Sequence, residues 1–172
     1  MNRRTTAAAL TTAFAASVVA TGPAAYAGGP DKKEAPGQSE LAEVRAATAK
    51  YHDVEAALAD GYIDTEICVP EMGVHYVNVD LLDDELDATS PEILVYAPRN
   101  NGSLKLVAVE YGSLEGEDPE GGVFAEHIEL FGQEFDRPIN GFGPWYPTLH
   151  AWVWQANPDG MFAKHNPHVS CD

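Results

Sequence analysis

The stretch Ile93-Leu-Val-Tyr-Ala-Pro-Arg-Asn-Asn-Gly-Ser-Leu-Lys-Leu-Val-Ala-Val-Glu-Tyr111 decides the fold, because two apolar runs flank the dipeptide Asn101-Gly102. Asn-Gly is the favoured sequence of a type I′ turn, so the pattern predicts an antiparallel hairpin with a two-residue loop. A loop of that length sets the register of the two strands and places Ile93 opposite Glu110.

Outward from the hairpin, alternating apolar residues predict four further strands, at residues 62–69, 74–79, 132–135 and 149–155. Before them, apolar residues at spacings of three and four from Leu41 to Leu58 predict one helix, with Ser39 as its cap and Gly61 as its stop. One helix followed by antiparallel strands indicates the α+β class. We expect the N-terminal helix to pack on a curled antiparallel sheet or on a small β-barrel.

The first residues of the chain have the pattern of a targeting segment. In residues 1–27 two arginines precede an apolar run, and Ala25-Tyr-Ala27 fits a signal-peptidase site. Residues 28–38 are rich in Gly, Pro and Lys, so we expect a disordered N-terminus there and a single globular domain over residues 39–172. The sequence therefore predicts a secreted, extracellular protein without membrane anchoring after signal cleavage.

The charge balance limits the classes of partner. The chain of 172 residues has 10 basic and 27 acidic side chains, and its formal net charge is −17. Nucleic acids and anionic lipid surfaces are bound by basic side chains, which are scarce in this chain. Binding to nucleic acid and to membrane surfaces is therefore excluded, and the expected partner is a small molecule or none.

The two cysteines, Cys68 and Cys171, are the only thiols in the chain. In an oxidising compartment one pairing is available to them, and we predict a structural disulfide. The alternative is two free thiols that act as metal ligands or as a redox pair. It is less favoured, because the chain has no C-x-x-C spacing.

Glu110 is out of place in the predicted hairpin. Strand alternation puts it on one face with Leu104, Leu106 and Ala108. A carboxylate in an apolar stripe costs several kcal/mol unless a partner such as a metal ion, a histidine or Arg99 neutralises it.

His75 and His150 lie inside predicted strands, among aromatic and β-branched neighbours. Two imidazoles and one carboxylate from three strands form the ligand set of a zinc hydrolase or of a non-haem iron centre. We therefore predict that His75, Glu110 and His150 bind zinc, iron or copper in an enzyme that acts on a small molecule. In the alternative, both histidines are core residues satisfied by backbone carbonyls or tyrosine, and Glu110 lies at the end of the sheet within reach of water. The spacing matches no local metal motif, so both interpretations stay open.

A loop rich in Gly, Pro and aromatic residues offers a different function. Phe142, Trp145 and Tyr146, with Trp152 and Trp154 close by in sequence, are able to line a pocket or a stacking surface. This pattern fits a non-enzymatic binding module for a small molecule or a carbohydrate. The competing interpretation is that the two later tryptophans belong to the core and that the loop covers the open end of the sheet.

Five blocks along the chain look familiar together: Met72-Gly-Val-His-Tyr-Val-Asn78, Pro91-Glu-Ile-Leu-Val-Tyr96, Leu106-Val-Ala-Val-Glu-Tyr111, Leu149-His-Ala-Trp-Val-Trp-Gln-Ala-Asn-Pro-Asp-Gly160 and Asn166-Pro-His-Val-Ser-Cys171. They resemble a family of small, secreted bacterial proteins of uncharacterised function. The resemblance covers nearly all of the mature chain and implies one compact domain with a cysteine at its end. It implies no activity, cofactor or catalytic residue.

Overall fold

A computed structural model describes residues 37–115, 125–138 and 146–172, all of which lie in one compact unit. The predicted signal peptide at residues 1–27 and most of the predicted N-terminal segment at 28–38 fall outside these described residues. Phe142 and Trp145 of the predicted aromatic loop also fall outside them. Within the described residues no helix is long and apolar enough to cross a membrane.

The helical part of the chain is divided into three pieces, so the prediction of one continuous helix is wrong. Helix α1 spans Gln38–Thr48, a 3₁₀ turn spans Ala49–His52, and helix α2 spans Val54–Ala59. Gly37, with a φ of 85°, precedes α1 in the position that was predicted for Ser39.

A change of hydrogen-bond partners explains the break between the helices. The Tyr51 carbonyl accepts from the hydroxyl of Tyr96 at 2.7 Å, and the backbone N–H of Glu55 donates to the Asp53 carboxylate at 3.1 Å. Together these two bonds replace the single bond that a continuous helix would make between the Glu55 N–H and the Tyr51 carbonyl. The break thus fastens the helical segment to the sheet.

In the part of the chain that the structure describes, seven strands follow the helices: β1 Ile63–Val69, β2 Gly73–Val77, β3 Ile93–Pro98, β4 Leu104–Gly112, β5 Glu129–Leu130, β6 Gln133–Glu134 and β7 Thr148–Ala151. Five of them form an antiparallel sheet in the order β1-β2-β3-β4-β7, and β5 and β6 form a separate short pair. The α+β class with an antiparallel sheet is confirmed. The barrel alternative is wrong, because within the described residues β1 and β7 lie at opposite ends of the sheet order and do not pair with each other. The outer side of β7 carries an isolated bridge between Thr148 and Asp136.

The β3–β4 hairpin has the predicted register near Glu110 but not the predicted turn. Arg99 and Ser103 close a three-residue loop, in which Gly102 has a φ of 79°, so the turn contains one residue more than a type I′ loop. A bulge at Val107 supplies one extra residue on β4 and restores the register, so that Ile93 faces Glu110 as predicted.

The bulge also changes which residues share a face. Ala108 pairs with Val95, whereas Leu106 pairs with Tyr96, the next residue along β3. Because neighbouring residues of a strand point to opposite faces, Leu106 lies on the face opposite to that of Ala108 and Glu110. The predicted stripe of Leu104, Leu106, Ala108 and Glu110 is therefore wrong, since the pleat changes phase at Val107.

The two faces of the sheet have different neighbours. The Tyr96 face packs on the helices, where the Arg45 guanidinium also donates to the Val153 carbonyl at 2.9 Å. On the Glu110 face, Tyr146 and Leu82 lie over Gly112, and the Trp152 ring stacks near His150. Both faces are buried, and the central strands form the core between them.

The predicted disulfide is confirmed, because Cys68 on β1 is bonded to Cys171. Backbone hydrogen bonds support the same connection: Glu71 donates to Val169 at 3.2 Å, and Asn166 donates to Glu71 at 2.7 Å. The C-terminal segment is thus held to β1 by the disulfide and to the β1–β2 turn by hydrogen bonds.

Candidate metal centre

Three strands of the main sheet bring His75, Glu110 and His150 together. Glu110 on β4 pairs directly with His150 on β7, and with Ile93 on its other side. His75 on β2 pairs with Val95 of β3, so its side chain extends over β3 towards Glu110. The predicted residues therefore form one group on one face of the sheet, and this group could hold a metal ion.

The distances from Glu110 to the two histidines, each measured to a different carboxylate oxygen, suit metal ligands better than hydrogen bonds. His75 Nε2 lies 3.4 Å from Glu110 Oε2, and His150 Nδ1 lies 3.4 Å from Glu110 Oε1. A charge-assisted N–H···O bond is shorter, about 2.7–2.9 Å. Two donor atoms of one tetrahedral ion are about 3.3–3.4 Å apart when each metal–ligand bond is about 2.0–2.1 Å. One donor atom from each residue lies within 4.8 Å of the other two.

The group is enclosed on the side of His150 and more open at His75. The exposed fractions of the side chains are 16% for His75, 4% for Glu110 and 1% for His150. The interpretation that Glu110 lies at the end of the sheet within reach of water is therefore wrong, because its side chain is buried.

Neither ring nitrogen of His150 has a hydrogen-bond partner among the described residues. A buried polar group without a partner costs about 1–3 kcal/mol. Burial lowers the pKa of His150, so its neutral form, which is the form that binds metals, is favoured. The alternative in which backbone carbonyls satisfy this histidine is therefore not what the structure shows.

Aromatic residues form the walls of the group. The Trp152 ring stacks near His150 with centroids 5.9 Å apart. Tyr146 packs so closely on Gly112 that an added Cβ would lie 2.7 Å from its ring. Burial, with the negative charges of Glu110 and Glu92, raises the pKa of Tyr146 to about 12.

The aromatic-loop prediction needs correction at Tyr146 and Trp154. Tyr146 is a buried wall residue rather than part of an open surface, and Phe142 and Trp145 are not among the described residues. Trp154 does not share the His150 face, because β7 ends at Ala151. Its ring lies 4.3 Å from that of His52, on the helical side of the sheet.

Sequence reasoning missed two charged residues near this group. Glu92 is buried and accepts a hydrogen bond from the Gly112 N–H at 3.0 Å, and burial raises its pKa to about 8. Its position directly before the apolar run Ile93–Tyr96 was the available signal. Lys164 lies close enough to His150 to influence its pKa, and no sequence pattern marked it.

Known proteins add no assignment: no family model matches the chain, no curated protein matches it, and no solved structure matches it. The geometry of His75, Glu110 and His150 is therefore the basis for assigning a function.

Proposed function

We propose that this protein is a secreted, metal-dependent enzyme that acts on a small molecule and holds its metal with His75, Glu110 and His150. The observation that carries the proposal is the environment of the His150 ring. Its ring nitrogens are buried without hydrogen-bond partners among the described residues, while a carboxylate oxygen lies at ligand spacing from one of them. A metal ion bonded to Nδ1 would remove part of that cost.

The ligand set indicates the class of chemistry. Two histidines and one carboxylate leave a coordination position open, and a zinc ion in such a site lowers the pKa of its water to about 7. Hydrolysis, in which water adds across an ester, amide or phosphoester bond, is the reaction that this chemistry favours. Zinc is the first metal to test because it binds histidine nitrogens and carboxylate oxygens in catalytic sites, and iron and copper accept the same donors.

The protein's own residues have separate roles in this proposal. Glu110 supplies negative charge that offsets the charge of the metal, and Trp152 holds the ring plane of His150 by stacking. Tyr146 and Trp152 keep bulk water from the inner side, which strengthens electrostatic interactions there. Access at His75 restricts the substrate to a small molecule or to a slender group of a larger one.

An extracellular location is part of the proposal. The Cys68–Cys171 disulfide supports it, because such bonds persist in oxidising compartments. The leader pattern at residues 1–27 agrees with export. N-terminal sequencing of secreted material is the direct check, and we expect the mature chain to begin at Gly28.

Metal analysis tests the proposal. Purified, untagged protein is stripped with chelator, reconstituted separately with zinc, iron(II) and copper(II), and its metal content is measured by elemental analysis. We expect near-stoichiometric binding by the wild type and its loss in His75→Ala and His150→Ala. His127→Ala is the matched control, because His127 is exposed and lies outside the group. Absence of bound metal in the wild type, or retention by both variants, would contradict the proposal.

A further inference from the structure

The C-terminal segment that carries Lys164 lies against the His150 side of the metal centre. The backbone N–H of Trp152 donates to the Met161 carbonyl at 2.9 Å, and its indole N–H donates to the Ala163 carbonyl at 2.6 Å. The Trp152 ring in turn stacks near His150, with an angle of 18° between the planes. These contacts place Lys164, the residue after Ala163, at the edge of the centre.

Lys164 is half-buried and makes no hydrogen bond or ion pair with any described residue. The other basic side chains of the described ranges differ from it. Four of them donate hydrogen bonds, and Arg99 is exposed to solvent. A partly buried ammonium group without a partner is unusual in a chain with 27 acidic side chains.

Lys164 directly follows Ala163, whose carbonyl accepts from the indole N–H of the Trp152 ring that stacks near His150. An ammonium group beside a bound metal ion creates a region of positive potential inside an otherwise acidic protein. Such a region attracts anionic oxygen groups, to which lysine binds as a compact point charge.

We propose that Lys164 binds an anionic oxygen group of the substrate, a carboxylate or a phosphate, beside the metal held by His75, Glu110 and His150. This inference rests on the proposed function and narrows its substrate class to small anions. Lys164 is then a substrate-binding residue, which sets the orientation of the substrate relative to the open coordination position.

Cobalt(II) is the probe for the test, because its visible spectrum reports ligands that join the metal. Full-length protein loaded with cobalt(II) is titrated with inorganic phosphate, with acetate and with imidazole, a neutral ligand. We expect Lys164→Met to weaken binding of one or both anions about tenfold, the size of a lost charge-assisted contact, and to leave imidazole binding unchanged. Lys164→Arg should retain most of the anion affinity. Arg99→Met removes the same charge at an exposed position and should behave as the wild type.

Each outcome of this titration decides something. A response to phosphate alone or to acetate alone identifies the anionic group. Equal anion affinities in the wild type and Lys164→Met overturn the inference, and so does an equal loss for anions and imidazole, which would indicate a structural role. Failure of the wild type to bind cobalt(II) overturns the proposed function and the inference with it, whereas metal binding without an effect of Lys164→Met overturns only the inference.

Discussion

Two groups of histidine and glutamate occupy opposite environments in this protein. His127 and Glu134 lie in and beside the short β5–β6 pair, 3.0 Å apart, with side chains 73% and 65% exposed. Glu110 lies 3.4 Å from each of two histidines, and its side chain is only 4% exposed. The exposed pair is closer together, yet water solvates both of its members.

The comparison shows that proximity alone does not mark a functional site. An exposed ion pair contributes about 0–1 kcal/mol, because water and salt screen it. The buried group has no such solvation, and the unpartnered nitrogens of His150 make it costly unless something binds there. Burial without a partner is therefore the property that separates a candidate site from a surface contact.

The largest expected effect is on stabilisation by metal. At a free metal concentration a thousandfold above its dissociation constant, binding stabilises a folded protein by about 4 kcal/mol. We expect zinc to raise the melting temperature of the wild type and of Glu134→Gln, and not that of Glu110→Gln. Thermal melts with and without zinc measure this. If zinc shifted the melting temperatures of Glu134→Gln and Glu110→Gln equally, the buried group would not be the zinc site.

The next largest expected effect is a difference in the free energy of unfolding between alanine substitutions at two glycines, Gly73 and Gly132. Gly73 has a φ of 117°, and an added Cβ would lie 2.4 Å from the Tyr96 carbonyl oxygen, whereas Gly132 has a φ of 69° and open space around it. Gly73→Ala should cost roughly 2–4 kcal/mol, since β2 must move away from β3. Gly132→Ala, in the β5–β6 turn, should cost about 1 kcal/mol for its left-handed backbone alone. Denaturant unfolding of both variants checks the order, and similar costs would show that β2 is free to adjust.

A further prediction concerns Glu92, whose buried carboxyl group accepts a hydrogen bond from the backbone N–H of Gly112. Its raised pKa, about 8, means that the folded protein keeps a proton that the unfolded chain has released above its ordinary pKa. The contribution of Glu92 to the free energy of unfolding is therefore fully present at low pH. It is lost as the pH rises from the ordinary glutamate pKa to about 8. The fall has a limiting slope of about 1.4 kcal/mol per pH unit. Unfolding free energies measured at several pH values should decline more steeply in the wild type than in Glu92→Gln. Parallel curves would show that Glu92 ionises normally.

The smallest expected effect belongs to the exposed pair. His127→Ala should change the unfolding free energy by no more than about 0.5 kcal/mol, in agreement with other surface substitutions. Denaturant unfolding at low and moderate salt measures it. A cost above about 1.5 kcal/mol would mean that this pair is more than a solvated contact.

The sequence predicted the strands and the odd position of Glu110, because both depend on local alternation of side chains. It named His75, Glu110 and His150 as one candidate metal site but left their closeness in space open, since they lie on strands distant in sequence and only the strand order brings them together. The predicted pairing of Ile93 with Glu110 is correct, but the turn from which it was predicted is not the one that the protein has. The extra turn residue and the Val107 bulge offset each other, and neither has a clear signal in the residue pattern. The helix break likewise depends on a tertiary hydrogen bond to Tyr51.

The bulge at Val107 separates the tip of the β3–β4 hairpin from the part that carries Glu110. Beyond the bulge, Glu110 is paired on both sides, with β3 and with β7, whereas the tip ends in a turn with open space around Gly102. The turn is therefore a natural attachment point on the molecule. A short reporter peptide inserted between Asn101 and Gly102 would lengthen only the tip, and it would provide a handle for labelling or immobilising the protein without moving its ligand residues.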